Sequence, residues 1–155
     1  MISPDVIARY FKRNNYVLHM QVKGLSHEDS LLTPPFRANC LNWVLGHIIV
    51  YRGRALALLG KKPVWDEDQA APYNRESEPL QAQDAQSLEQ IMADLDVSQE
   101  RLDAALAELT VEDLERVVDD RTLAERLTFD YWHEAYHTGQ TELLRQLAGT
   151  DDKVI

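Results

Sequence analysis

Residues 133–137 read His-Glu-Ala-Tyr-His. Histidines four apart on a helix share one face, one turn apart. Two neutral imidazoles so placed can hold a single metal ion. The run also matches H-E-x-x-H, the zinc-protease pattern in which the glutamate is a general base. The rest of the chain does not suit a protease. The extended form H-E-x-x-H-x-x-G-x-x-H needs Gly and His where this chain has Gln140 and Leu143. Few residues follow His137, which leaves no room for a distant glutamate ligand. No strand pattern is present to hold an extended peptide.

A metal site then needs a third ligand. His19 stands opposite the apolar stripe of its helix and is expected in solvent, and His27 follows Gly24 in a loop. His47 lies in the nearly all-apolar run Leu41–Val50, with Trp43, Tyr51 and Leu58 on its face. A buried imidazole without a partner costs about 1–3 kcal/mol. Alone, it would be read as a core histidine bonded to backbone or tyrosine. Beside a separate histidine pair it becomes the candidate third ligand. Cys40 shares the face but sits seven residues away, ~10 Å along a helix. Metal–sulfur bonds are ~2.3 Å, so Cys40 and His47 do not share an ion. Three histidines with open positions are the ligand count of a catalytic site. Zn, Ni, Co, Fe and Mn all suit such a set.

Other groups gather around this set. Gln140 continues the His133/His137 face and is placed to bond an imidazole's second nitrogen. Arg126 precedes the pair on the same face. Glu134 points about 80° from the middle of that face at 100° per residue. It is a candidate base acting through water, or else an ion-paired or solvated carboxylate. Arg54, two turns beyond His47, is a candidate to hold the carboxylate of a bound cofactor, or else a solvated rim arginine. Gly46 and Gly139 interrupt helices at about 1 kcal/mol each relative to alanine, which points to close helix approach near the histidines.

The elements that must position these residues are helical. Ser3-Pro4 opens a helix over 4–23, with Val6/Tyr10/Val17 and Ile7/Phe11/Leu18 as its stripe. A second helix is expected over 39–59, before Gly60. Ser87…Gln90 is a capping-box pattern opening a third helix to about 109. A short helix is expected over 111–118, capped by Thr110. Thr122…Glu125 opens the last, to about 148, with Thr128 as a possible interruption. The segment 61–86 carries Pro63, Pro72 and Pro79, with Trp65 and Tyr73 as apolar anchors. It reads as a packed surface loop or a partial lid. The expected fold is all-α: one domain over 1–155, a four-helix bundle with a long loop between helices two and three.

The 155 residues are 45 % apolar and carry a net charge of −10. So acidic a surface argues against nucleic-acid binding. No apolar run reaches the ~18 residues of a membrane span. Cys40 is the only cysteine, which excludes an intrachain disulfide and a Cys-rich zinc site. No signal-peptide pattern opens the sequence, and a cytoplasmic location is expected.

Asn42-Trp43-Val44-Leu45-Gly46-His47, joined by His133-x-x-x-His137-x-Gly139-Gln140, resembles the DinB/YfiT-like superfamily of metal-binding four-helix bundles. The resemblance covers nearly the whole chain, including the order of helices and the long central loop. It implies a divalent metal held by His47, His133 and His137, and frequent homodimers. Apolar surplus on helices one and two would suit such a dimer. It further implies a small-molecule substrate and a metal-dependent enzyme, a thiol-dependent S-transferase or a mycothiol-dependent isomerase, while a metal-bound water would instead make the protein a hydrolase. Such transferases use a low-molecular-weight thiol, bacillithiol or mycothiol. The alternative is a non-catalytic metal-binding or stress-response protein. Glu134 is not part of the superfamily's metal motif.

Overall fold

The structure is a computed structural model and describes residues 2–154. Helices α1 (Pro4–Val22), α2 (His27–Ser30), α3 (Leu41–Leu58), α4 (Glu67–Ala70), α5 (Leu88–Ala107), α6 (Val111–Leu114) and α7 (Leu123–Leu147) follow in order. Strands β1 (Val117–Val118) and β2 (Arg121–Thr122) lie between α6 and α7. The long helices α1, α3, α5 and α7 form a four-helix bundle in which α1 and α3 each pack on both α5 and α7. Among the described residues, no helix is long and apolar enough to cross a membrane.

The directions of the helices follow from their pairings. Lys12 meets Asp103 and His19 meets Asp96, so α1 and α5 are antiparallel. Tyr10 stacks on Tyr131 and Gln21 bonds Glu142, so α1 and α7 are parallel. His47 and Tyr51 pack on His137 and His133 respectively, so α3 and α7 are antiparallel. Asn42 donates to Gln86 O and Arg52 to Leu95 O, which makes α3 and α5 parallel. Parallel neighbours must be joined by a segment that runs back along the helix, about 27 Å for 18 residues at 1.5 Å each. This explains the length of the 61–86 connection. It is packed rather than loose: Trp65 and Tyr73 are buried in the core with Trp43, Leu45 and Ile49. Trp65 Nε1 donates to Asp94, and the Tyr73 hydroxyl donates to Asn42 Oδ1 at 3.0 Å.

The bounds of the four long helices fall within two residues of those expected from the sequence, whereas α2, which opens at His27, and α4 lie in segments expected to be loop. The helix expected over 111–118 stops at Leu114, and the absence of strands is also corrected. Val117 pairs with Thr122 and Val118 with Arg121 across a turn in which Asp119 takes φ 58°. A short polar side chain tolerates that left-handed conformation better than most, and the β-branched valines suit the strand. Thr128 does not interrupt α7. On α1, Ile7, Phe11, Val17 and Leu18 are buried, while Tyr10 is exposed. The apolar surplus of α3 is buried inside the bundle and is not a free dimer face.

Gly46 and Gly139 differ. A Cβ at Gly46 would overlap the Tyr73 ring, so the crossover, not a neighbouring helix, requires glycine there. Nothing lies within 4 Å of a Cβ at Gly139. Among the described residues, the close approach expected there is absent.

Candidate metal centre

Helix α3 supplies His47, and α7 supplies His133 and His137 one turn apart. Their ligand atoms all lie within 4.8 Å of one another. The ring centroids are 5.3 Å (47–133), 4.8 Å (47–137) and 4.5 Å (133–137) apart. Nε2 of His133 and Nε2 of His137 are 3.2 Å apart. Two nitrogens each ~2.0–2.1 Å from one ion would be spaced much like that.

The second nitrogens fix how two of the rings face. His47 Nδ1 is 2.7 Å from the Tyr73 carbonyl, which can only accept, so Nδ1 carries the proton. His137 Nδ1 donates to Gln140 Oε1 at 2.8 Å. Both rings therefore present an unprotonated Nε2. This is the orientation that outer partners impose on ligating imidazoles. Tyr73 belongs to the crossover, so the segment 61–86 contributes an atom to the site. His133 Nδ1 is buried without a partner. In the 3.2 Å contact, His137 Nε2 is the acceptor, so the proton lies on His133 Nε2. An ion taking that position would move the His133 proton to Nδ1.

Burial keeps the cluster uncharged. His47 and His133 are each pushed down to about 4, mainly by desolvation. Neighbouring imidazoles and the guanidiniums of Arg54 and Arg75 push the same way, while the Tyr73 carbonyl opposes the shift at His47. His137 is lowered by burial and held back by Gln140. Neutral imidazoles are what metal binding requires. Aromatic rings brace them. Trp43 stacks on His47 at 4.4 Å and Tyr51 on His133 at 3.7 Å, and the edge of Tyr136 meets His137.

The remaining sequence candidates fall into place differently. Gln140 bonds His137 as expected. Arg54 is exposed, with its guanidinium 4.3 Å over the Tyr51 ring, so Arg54, Tyr51 and His133 form a layered stack. Glu134 does not serve the cluster. Its two oxygens accept from Arg52 Nε and Nη2, each at 2.8 Å, in a buried ion pair. One hundred degrees of helix rotation carries it from the imidazoles to the α3 core face. Cys40 stands at the N-cap position of α3, without a side-chain capping bond, and is not part of the cluster. His19 bonds Asp96 in solvent. Arg126 pairs with Asp119 and Asp120 of the hairpin turn.

Sequence reasoning missed three residues. Tyr73 was seen only as an apolar anchor. Arg52 went unremarked, although an arginine in so apolar a helix as α3 was a signal that it is buried with a partner. Asp130 also went unremarked, although it stands three residues before His133 on the same face.

A helical bundle with one histidine from its second long helix and two from its last, all facing one point, defines a class of three-histidine bundle proteins. The model of the DinB superfamily matches residues 10–141, and the chain belongs to that superfamily. Among solved structures it is similar to the one described as "Crystal structure of the conserved protein of locus from Enterococcus faecalis". The TM-score is 0.78 at 18 % identity, over 97 % of this chain and 99 % of that one, a likeness of fold. A comparison with curated proteins finds no match.

Proposed function

We propose that this protein is a divalent-metal-dependent enzyme acting on a small molecule, with thiol-dependent S-transfer the leading reaction and hydrolysis second. The observation that carries this reading is the convergence of three neutral imidazoles, two with their second nitrogens tied by Tyr73 and Gln140. His47, His133 and His137 would hold the ion, leaving positions open. An ion there supplies Lewis acidity and brings the pKa of a coordinated thiol or water toward neutrality. Zn, Ni, Co, Fe and Mn all remain compatible with three imidazoles.

Thiol transfer ranks above hydrolysis because of what surrounds the cluster. Glu134, the carboxylate that hydrolysis would have used as base, is held by Arg52. The charges close enough to depress the imidazoles are the cations Arg54 and Arg75. They favour a thiol that carries an acid group, with Arg54 as its partner. The same reading includes a cytoplasmic location and a homodimer. Trp132, Tyr136, Leu143 and Leu147 form an exposed, uncharged apolar stripe along α7, and Gly139 lies within it. A second copy could approach closely there.

The test begins with the metal content of the purified protein and of His47→Ala. Stoichiometric metal that raises the melting temperature of the native protein, and is lost in the variant, supports the reading. No metal and no thermal response to added Zn or Ni defeats it. A panel of bacillithiol, mycothiol, glutathione and cysteine with monochlorobimane then tests transfer. A metal-dependent rate with one thiol supports it. Background rates with all four, beside hydrolysis of simple esters or amides, reverse the ranking. Neither activity would favour metal binding without catalysis.

A further inference from the structure

Beside the imidazoles lies an open cleft of about 960 Å³, between α3, the start of α7 and the β1–β2 hairpin. Tyr51, whose ring stacks on His133, forms one wall, and Phe129, also stacked toward His133, forms another. The cleft is unlike the rest of the surface. On a chain of net charge −10 it gathers Arg54, Arg116, Arg121 and Arg126. Arg126 is partly neutralised by Asp119 and Asp120. Among the described residues, Arg54, Arg116 and Arg121 have no carboxylate partner. Arg54 lies over the Tyr51 ring and donates to Asn74 Oδ1 at 3.5 Å, and Arg116 donates to the Leu58 carbonyl at 3.4 Å.

The cleft also holds a group that needs a partner. Asp130 lines it and is 9 % exposed. Its Oδ2 is buried without a hydrogen bond, and so is Nε of Arg126 one turn earlier. A buried carboxylate oxygen left unpaired is destabilising, and native structures rarely tolerate one without a reason. Burial pushes Asp130 up to about 7 against the pull of Arg54 and Arg126, with Glu134 adding to the rise. Three free cations and one orphaned acceptor around one hollow describe a ligand with two ends.

We propose that this cleft binds a small organic acid that also carries a hydrogen-bond donor. Its acid group lies between Arg54 and Arg121, and its amine or hydroxyl donates to Asp130 Oδ2. Ala57, Leu58, Val117, Val118 and the Phe129 ring supply apolar walls for the chain between the two ends. The guanidiniums suit a carboxylate through paired N–H donors. The proposal extends the substrate class given above, and adds Asp130 as the residue that selects it. It does not depend on a metal, because none of these groups belongs to the imidazole cluster.

The experiment uses the full chain and probes without a thiol. ω-Amino and ω-hydroxy acids of two to six carbons are titrated by NMR against their parent acids and inorganic phosphate, following the methyl groups of Val117 and Val118 and the ring of Phe129. At least one member of the series is expected to bind about tenfold more tightly than its parent acid, the scale of a hydrogen bond to a charged group. In Asp130→Asn that advantage disappears while the parent acid binds as before. Arg54→Gln with Arg121→Gln weakens every acid about tenfold or more. Melting curves confirm that the variants are folded.

The proposal is overturned if no probe shifts these resonances. It is also overturned if phosphate and the parent acids bind as well as the bifunctional ones. An advantage that survives Asp130→Asn overturns the role of that residue, and the wild-type series alone decides the rest. Repeating the titration in His47→Ala separates the two readings. Retained selectivity with lost metal binding leaves the cleft standing alone. Lost selectivity there makes the cleft part of the metal site and refutes its independence.

Discussion

Glu134→Ala should unfold this protein at a markedly lower temperature, for reasons unrelated to chemistry at the imidazoles. Arg52 and Glu134 have side-chain exposures of 0 % and 2 %. Every nitrogen of the guanidinium is bonded: Nε and Nη2 to Glu134, and Nη1 to Asn15 Oδ1, Leu95 O and Ser98 Oγ at 3.0–3.1 Å. Removing the carboxylate leaves a buried cation with neutral acceptors only. Breaking one partner from such a pair costs about 3–5 kcal/mol. For a chain of this size the loss corresponds to a fall of roughly 6–20 °C in melting temperature. The paired replacement Arg52→Met with Glu134→Leu removes both charges and should lie within about 1 kcal/mol of the native protein, because the desolvation penalty disappears with the attraction. Urea denaturation of the two single variants and the double variant gives the coupling directly. A loss under about 1 kcal/mol for Glu134→Ala would refute the reasoning. Glu134→Gln adds a functional arm. The brace predicts reduced stability with metal stoichiometry intact, whereas a general base would predict native stability with collapsed turnover.

Three further outcomes follow from the geometry. Gly46→Ala drives a methyl into the Tyr73 ring and should cost about 1–3 kcal/mol by overpacking, and Gly46→Ala combined with Tyr73→Ala should recover part of that loss in thermal melts. Asp130, raised from 3.8 to about 7, binds a proton in the folded chain that the unfolded chain has released. The contribution of Asp130 to stability therefore falls as pH rises from about 4 to about 7, by up to about 4 kcal/mol, while His47 and His133, held down to about 4, contribute with the opposite sign between about 4 and 6.5. Asp130→Asn should be the more stable protein at pH 8, and the difference between variant and native protein in urea titrations should grow as pH rises from about 4 to about 7; a difference that does not change with pH would contradict the buried, unpaired carboxylate. Trp132→Glu with Leu143→Glu places charges in the exposed α7 stripe and should convert a dimer to a monomer in analytical ultracentrifugation. A native monomer at high micromolar concentration would end the dimer reading.

The sequence pattern was sufficient for the four long helices because α1, α5 and α7 present a repeating apolar face, α3 is a long apolar run, and each begins or ends at a proline, a capping residue or a glycine. The hairpin at 117–122 escaped it because two-residue strands carry no period, and Asp119 in the left-handed region is not marked by glycine. The three imidazoles were legible because two stand at i and i+4 and the third interrupts an apolar helix. Their partners were not. The Tyr73 carbonyl is backbone, and reaches His47 only because parallel α3 and α5 force the crossover along the site. Helix rotation placed Glu134 off the imidazole face, but only the packing of α7 on α3 shows that Arg52 waits there. Asp130 needed the hairpin and Arg54 in place before its lack of a partner could be seen.

Among the described residues, the buried charged and imidazole side chains of the bundle lie on one helix pair. His47 and Arg52 on α3 face Asp130, His133, Glu134 and His137 on α7, while Ile7, Phe11, Leu102, Leu106, Leu123 and Leu127 pack an apolar cluster elsewhere in the bundle. Adjacent faces of α7 then have opposite tasks. The His133/His137 face leaves nitrogens free for a guest, and the Glu134 face fully satisfies its own charge with Arg52. A site that keeps unpaired groups destabilises the fold that holds it. A brace next to it, Arg52 with Glu134, ties the same two helices together. The glutamate that makes residues 133–137 look like a protease motif is thus required by the interface rather than by the chemistry. The resemblance to H-E-x-x-H arises because the residue after a ligand on α7 is the one that faces Arg52.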